Sequence, residues 1–273
     1  MNVSDNLFKK FVYQIICIFA ARPYCRSTYG TFIINILKMV TINILERPDA
    51  DFFAPLRNDC MCLLGKIERL SVERTRKEKN IIEKVLGWVM CRMEASLRYG
   101  VHPADIRVDF HEKGKPFFPD FPDFKFNITH GGNIIAVAFC DEHEVGIDTE
   151  SIDRKVNPMI AERYFTPAET EFLQKTPLQQ RSHAFLHLWT IKEAYLKMKG
   201  DGLLKPLNSF EIQHVENEIK IYENNQLQDC TIFQDKTDQK HIITVCVEKG
   251  EKKFFTNHQN MKSIINFVEK NKK

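Results

Sequence analysis

The sequence predicts an α+β fold made of two similar lobes, and three observations predict it. Each half of the chain reads as a strand, a long helix and then mostly antiparallel strands. Each long helix runs into a glycine, Gly100 or Gly200, at the place of a C-terminal cap. No tandem repeat or low-complexity linker divides the halves, so the lobes are expected at 39–140 and 141–273, after an extension over 1–38. A chain of 273 residues, 43% hydrophobic and 27% charged, has ample apolar content for such a core.

The extension comes first. Lys9 and Lys10 precede FVYQIICIFAA, an apolar run resembling a signal-peptide core and too short to span a bilayer. Lys38 interrupts the next run, TFIINILKMVTINIL. Three readings stand: a signal-like segment, an added amphipathic element, or translated sequence upstream of a start at Met39. The last is favoured because MVTINIL opens cleanly as a strand. A single helix is then expected from about Ser71 to Tyr99, where Ile82, Val85, Leu86, Val89, Met93 and Leu97 recur at helical spacing. DIRVDF, KFNITH, NIIAVAFC and EVGIDTE read as short strands, with a proline-punctuated loop, EKGKPFFPDFPDF, between the first two. In the second half Thr166 is an N-cap, with Pro167 at the first helical position and Glu169 three residues after the cap. A longer helix runs from about Arg181 to Lys199, and SFEIQ, EIKIY and HIITVCVE follow as strands.

A net charge of +3 gives no argument for nucleic acid or a membrane surface. Two local clusters are basic, Gly65 to Lys79 and the terminal EKNKK, and their plain reading is a solvated helix face and a frayed end. The eight cysteines, Cys17, Cys25, Cys60, Cys62, Cys91, Cys140, Cys230 and Cys246, form no C-x-x-C pair. Several lie inside apolar runs, where a thiol packs as a small hydrophobe, which predicts a reduced, cytoplasmic protein without zinc.

Three constellations carry chemistry. Asp148 and Glu150 of EVGIDTE lie two apart, so an extended strand turns both carboxylates to one face, where they repel unless a cation separates them. Glu193 and Lys197, four apart, share a helix face just before the glycine-containing GDGLLKPL. If that helix packs beside the strand end, Asp148, Glu150 and Glu193 make a three-carboxylate magnesium site, with Lys192, Lys197 and Lys115 available to phosphate oxygens. The alternatives are a common D-x-E and a silent surface ion pair. His130 before Gly131 and Gly132 is either a turn cap or an imidazole presented beside free backbone N–H groups.

In this order GKPFFPDFPDFKFNITHGGNIIAVAF, GIDTE and LWTIKEAYLKMKGDGLLKPLNSF resemble the 4′-phosphopantetheinyl transferases of the larger, surfactin-synthetase type, densely from Lys113 to Phe210. The resemblance implies a pseudo-twofold pair of lobes with the active site between them. It implies transfer of the phosphopantetheine arm of coenzyme A to a serine of an apo acyl or peptidyl carrier protein, releasing 3′,5′-ADP, by a monomer. By motif position Asp148, Glu150 and Glu193 are the implied Mg2+ ligands. Lys197 is the implied phosphate contact, and Glu193 or Glu150 the base for the serine proton. Lys113, Gly114, Lys115, Pro116, Phe117 and Phe118 resemble the loop along the nucleotide, and Thr129 and His130 the group near its 3′-phosphate. Thr129 stands where the family has serine. Glu83, with Lys84 beside it, stands near an arginine of the family's phosphate pocket, for which Lys66, Arg69, Arg74, Arg76 or Lys77 are the candidate substitutes. The alternatives are a magnesium-dependent phosphohydrolase using the same carboxylates, or an inactive relative that binds coenzyme A or a carrier.

Overall fold

In the computed structural model the described residues are 39–202, 205–216, 218–235, 239–249 and 253–272. The readings of 1–38 lie outside them. The strand expected at Met39 forms as β1 (Val40–Glu46), and its alternation feeds both of its faces: Val40, Ile42 and Ile44 to one core, Leu45 to another. Short helices α1 (Ala50–Phe53) and α2 (Arg57–Cys62) follow. The single helix expected from Ser71 is two: α3 (Lys66–Glu73) and α4 (Glu78–Tyr99). The break at 74–77 lets α3 fold back on α4, because Glu68 must reach Arg92. The Arg92 guanidinium, fully buried, pairs with Glu68 and donates to the carbonyls of Pro103 and Ile106. Lys84 braces the same turn, donating to Ser71 O and to the hydroxyls of Ser71 and Thr75. Of DIRVDF only the last two residues form a strand, β2 (Asp109–Phe110), paired with β3 (Pro116–Phe117).

Strands β4 (Phe124–Gly131), β5 (Ile134–Asp141) and β6 (Val145–Ser151) form as expected. After α5 (Ala161–Tyr164) comes α6 (Pro167–Lys175), whose Thr166–Glu169 capping box is present. The long helix α7 (Leu178–Lys199) starts three residues earlier than its periodicity indicated. Then come β7 (Phe210–Val215), β8 (Glu218–Glu223), β9 (Gln226–Leu227), β10 (Cys230–Asp235), β11 (His241–Glu248), β12 (Phe254–Gln259) and α8 (Met261–Asn271).

The architecture is mixed α+β in four layers. One sheet has the order β12-β1-β5-β4 and the other β10-β11-β6, with β7-β8-β9 as a separate sheet. Each main sheet buries one face under its own long helix. The two remaining faces meet, joining Ile42, Ala136 and Ala138 of one sheet to Ile147, Ile243 and Val245 of the other. At the seam β4 runs beside β6: Ile147 N donates to Asn127 Oδ1 at 3.0 Å, and a Cβ on Gly131 would collide with the Thr149 carbonyl.

The C-terminal segment returns to the first sheet. There β12 pairs in parallel with β1, and Ile264, Phe267 and Val268 of α8 join the core beneath α4. Exposed edge β1 would otherwise be left unpaired, and the returning chain covers it. Among the described residues no helix is long and apolar enough to cross a membrane.

Candidate active site

The alternation along β6 places the acids. Val145 and Ile147 face the opposing sheet, so Gly146, Asp148 and Glu150 face α7. Gly146 lets that helix descend onto the strand, since a Cβ there would collide with the backbone of Ala194 and Met198. Asp148 thereby meets the α7 face that carries Glu193 and Lys197. Lys197 Nζ donates to Asp148 Oδ1 at 2.6 Å, to Ile147 O at 3.1 Å and to Thr129 Oγ1 at 3.3 Å. Thr129 Oγ1 in turn donates to Asp148 Oδ1 at 3.3 Å.

The charge between the two strand carboxylates is therefore two cations. Lys197 neutralises Asp148, while Arg154, from the loop after β6, pairs with Glu150. Glu193 has neither. Its pKa is raised by burial and by the neighbouring Asp148 charge, with Lys197 opposing both. Asp148 Oδ2 and Glu193 Oε1 are buried and have no hydrogen-bond partner. Two anionic oxygens without protein partners, on adjacent elements, are hard donors that fit a magnesium ion. Among the described residues no set of three His, Cys, Asp or Glu side chains is gathered as a metal-holding group, since Glu150 is turned to Arg154.

A second cluster lies at the N-terminal end of β4's neighbour α4. The buried Glu83 carboxylate is met by Arg47 Nε at 3.2 Å, His130 Nδ1 at 3.2 Å and Lys79 Nζ at 3.6 Å. The His130 ring is half-exposed, and its pKa is lowered by partial burial; Glu83 opposes this while Lys197 and Lys79 reinforce it. Sequence reasoning missed Arg47, which follows β1 in an ordinary polar turn, and missed Arg154; neither sits in a motif that marks it. Lys66, Arg69, Arg74, Arg76 and Lys77 lie on α3 and its exit, and none pairs with Glu83.

Three candidate contacts have other work. Lys192 is fully buried: its Nζ donates to Leu207 O and Phe210 O, each at 2.8 Å, and pairs with Glu169 at 2.9 Å. Lys115 Nζ is held by Glu144 at 2.6 Å, Met198 O at 2.9 Å and Val145 O at 3.0 Å, which ties the loop to β6 and α7. Burial lowers the pKa of both amines, and their carboxylate partners oppose that shift. Phe118 is wholly buried in the aromatic core with Phe124 and Phe126. All three side chains are buried, with their polar atoms or rings already engaged by protein partners. The rest of the loop is accessible. Gly114 turns at φ +89°, Pro116 and Phe117 are half-buried with Phe117 stacked on His111, and Lys113 reaches Asp201 at 2.6 Å.

The model of the 4′-phosphopantetheinyl transferase superfamily matches residues 144–246, a stretch that contains Asp148, Glu150, Glu193 and Lys197. The chain is 32% identical to 4′-phosphopantetheinyl transferase Sfp of Bacillus subtilis (strain 168), over 68% of this chain and 83% of that protein. It is 32% identical to 4′-phosphopantetheinyl transferase gsp of Aneurinibacillus migulanus, over 77% and 85% respectively. With 4′-phosphopantetheinyl transferase HetI of a Nostoc species the identity is 37%, over 62% and 70%. This chain belongs to the 4′-phosphopantetheinyl transferases.

Proposed function

We propose that this protein transfers the 4′-phosphopantetheine moiety of coenzyme A to a serine hydroxyl of an apo acyl or peptidyl carrier protein, releasing 3′,5′-ADP. The observation that carries the reading is the pair of buried, unpartnered oxygens, Asp148 Oδ2 and Glu193 Oε1, beside the Lys197 ammonium. Asp148 and Glu193 would hold Mg2+, with Glu150 available to it once released from Arg154. The metal, when bound, supplies positive charge to the diphosphate of the substrate. Glu193 accepts the serine proton. Lys197 exchanges Asp148 for phosphate oxygens and stabilises charge on the leaving group. His130, Arg47 and Lys79 offer the cationic end for the 3′-phosphate, and Lys113 to Phe117 border the nucleotide.

The carrier partner is acidic. It is steered by the basic run Lys66, Arg69, Arg74, Arg76 and Lys77, beside the exposed apolar Ile67 and Leu70 of α3. The protein acts as a cytoplasmic monomer, away from nucleic acid and membrane. Free thiols at the six described cysteines are consistent with a reducing compartment.

Incubation with coenzyme A, Mg2+ and apo carrier is expected to add one phosphopantetheine to the carrier by intact mass, and chelation is expected to stop it. Metal-dependent breakdown of coenzyme A with the carrier unmodified would overturn the reading in favour of a phosphohydrolase.

A further inference from the structure

Behind the active site, three sulfur atoms that the transfer chemistry does not use lie together. Cys246 of β11 pairs directly across from Gly146 of β6. The descent of α7 onto Gly146 therefore also lays Met198 against Cys246, with Sγ and Sδ 3.4 Å apart. On the other side of Cys246 stands Cys230 of β10. It is opposite Glu248, so it is the diagonal neighbour of Cys246 on the face covered by α7. The two thiols thus lie on the same face of the β10–β11 pair. Cys246 donates its proton to the Met198 thioether, with Cys230 diagonally across the strand pair. Cys230 and Met198 line a cavity of about 210 Å³ that opens to solvent, with Tyr195, Lys199 and Glu248 in its wall.

We propose that Cys230, Cys246 and Met198 form a binding site for a soft monovalent cation of the Cu(I) class. Two thiolates and a thioether are soft donors, the set that selects Cu(I). Zinc takes four tetrahedral ligands from Cys, His and carboxylate, and this site supplies two such groups; magnesium and calcium demand oxygen. Binding displaces the two thiol protons to solvent, so the bis-thiolate complex carries one net negative charge. Lys199 lies near both thiols, Lys220 near Cys230 and Lys115 near Cys246, and these ammonium groups offset it, while Asp229 opposes them at Cys230. The neighbouring Cys246 holds the Cys230 thiol below its usual range, whereas burial pushes Cys246 up. The cavity gives the ion its way in.

The test is an anaerobic Cu(I) titration of the full chain against a chromogenic Cu(I) chelator. Wild-type protein is expected to hold one tight equivalent that is lost in Cys230→Ser and in Cys246→Ser. That equivalent is expected to bind more weakly in Met198→Leu and unchanged in Cys62→Ser. Cys246 is fully buried, so its variant risks misfolding; Cys230 is half-buried and Met198→Leu conserves volume, and these two decide the matter. Wild-type stoichiometry and affinity in both would overturn the proposal, as would displacement of Cu(I) by an equal concentration of Zn2+.

Discussion

The two halves of the molecule share a connectivity and diverge in what they do with charge. In the first, β1 leads through α4 to the β4–β5 hairpin, and the sheet order is β1-β5-β4. In the second, β6 leads through α7 to the β10–β11 pair, and the order is β6-β11-β10. Both long helices have 22 residues, and each is closed by a left-handed glycine. Yet the buried charges of α4 all meet opposite charges: Arg92 has Glu68, Glu94 has Arg98, and Glu83 has Arg47, Lys79 and His130. Beneath α7 the Lys192–Glu169 and Lys197–Asp148 pairs form, while Glu193, partly buried beside Asp148, meets no ion-pair partner among the described residues. Burial alone does not separate a structural charge from a reactive one. The presence of an ion-pair partner does.

The largest effect that would test this is a pair of substitutions on one helix. Lys192→Met strands the Glu169 carboxylate in the core and is expected to cost about 3–5 kcal/mol in urea unfolding, with transfer by the remaining folded molecules intact. Lys197→Met, five residues on, is expected to cost under about 1 kcal/mol, because that amine is partly exposed, and to raise the KM for coenzyme A. Equal losses of stability would break the distinction. Next in size, Asp148→Ala is expected to lower transfer about 100- to 1000-fold. Its melting temperature should hardly move, since losing the repulsion from Glu193 offsets losing the pair with Lys197. A folded and fully active Asp148→Ala protein would refute the assignment of the site.

How much of this was legible follows from where each signal resides. Alternation in VGIDTE and the i, i+4 spacing of Glu193 and Lys197 are local, and both survive into the structure as facing groups. The break between α3 and α4 was not legible, because Glu68 finds Arg92 only through the tertiary fold. For the same reason Lys115 and Lys192 read as phosphate ligands: a lysine beside a motif looks alike whether it points into a cleft or a core. Strand β12 went unread because FFTNHQ is half-polar, and its partner β1 is more than 200 residues away in sequence, as with Asn257 and Asn43. Arg47 and Arg154 belong to no pattern at all.

A smaller effect sharpens the likeness itself. Gly100 and Gly200 adopt φ +67° and +72°, and an added Cβ meets nothing within 4 Å at Gly100 and only the Lys115 side chain, at 3.5 Å, at Gly200. Gly100→Ala and Gly200→Ala are each expected to cost about 1 kcal/mol, mostly from the left-handed backbone. If the two caps are equivalent, the two values agree; a much larger loss at Gly200 would mean that the Lys115 latch depends on that turn.

The smallest expected shift has the most direct bearing on the difference between the helices, because its sign is opposite on the two. Burial and Asp148 raise the Glu193 pKa above its unfolded value. The contribution of that carboxyl to stability is therefore fully present below the ordinary carboxylate range and is lost as pH rises through the folded value. A glutamine amide mimics the neutral acid, so Glu193→Gln is expected to melt slightly higher than wild type at neutral pH, the gap closing as pH falls below the usual carboxylate range. Glu83→Gln removes a carboxylate that Arg47, Lys79 and His130 all meet, and it is expected to melt lower at neutral pH. Differential scanning calorimetry across pH measures both. Adding Mg2+ with coenzyme A should then raise the wild-type midpoint more than that of Glu193→Gln, because the amide cannot supply the anionic oxygen that the ion needs. A Glu193→Gln protein that melts lower than wild type at neutral pH, and gains as much from Mg2+, would place Glu193 among the paired, structural charges of the first helix.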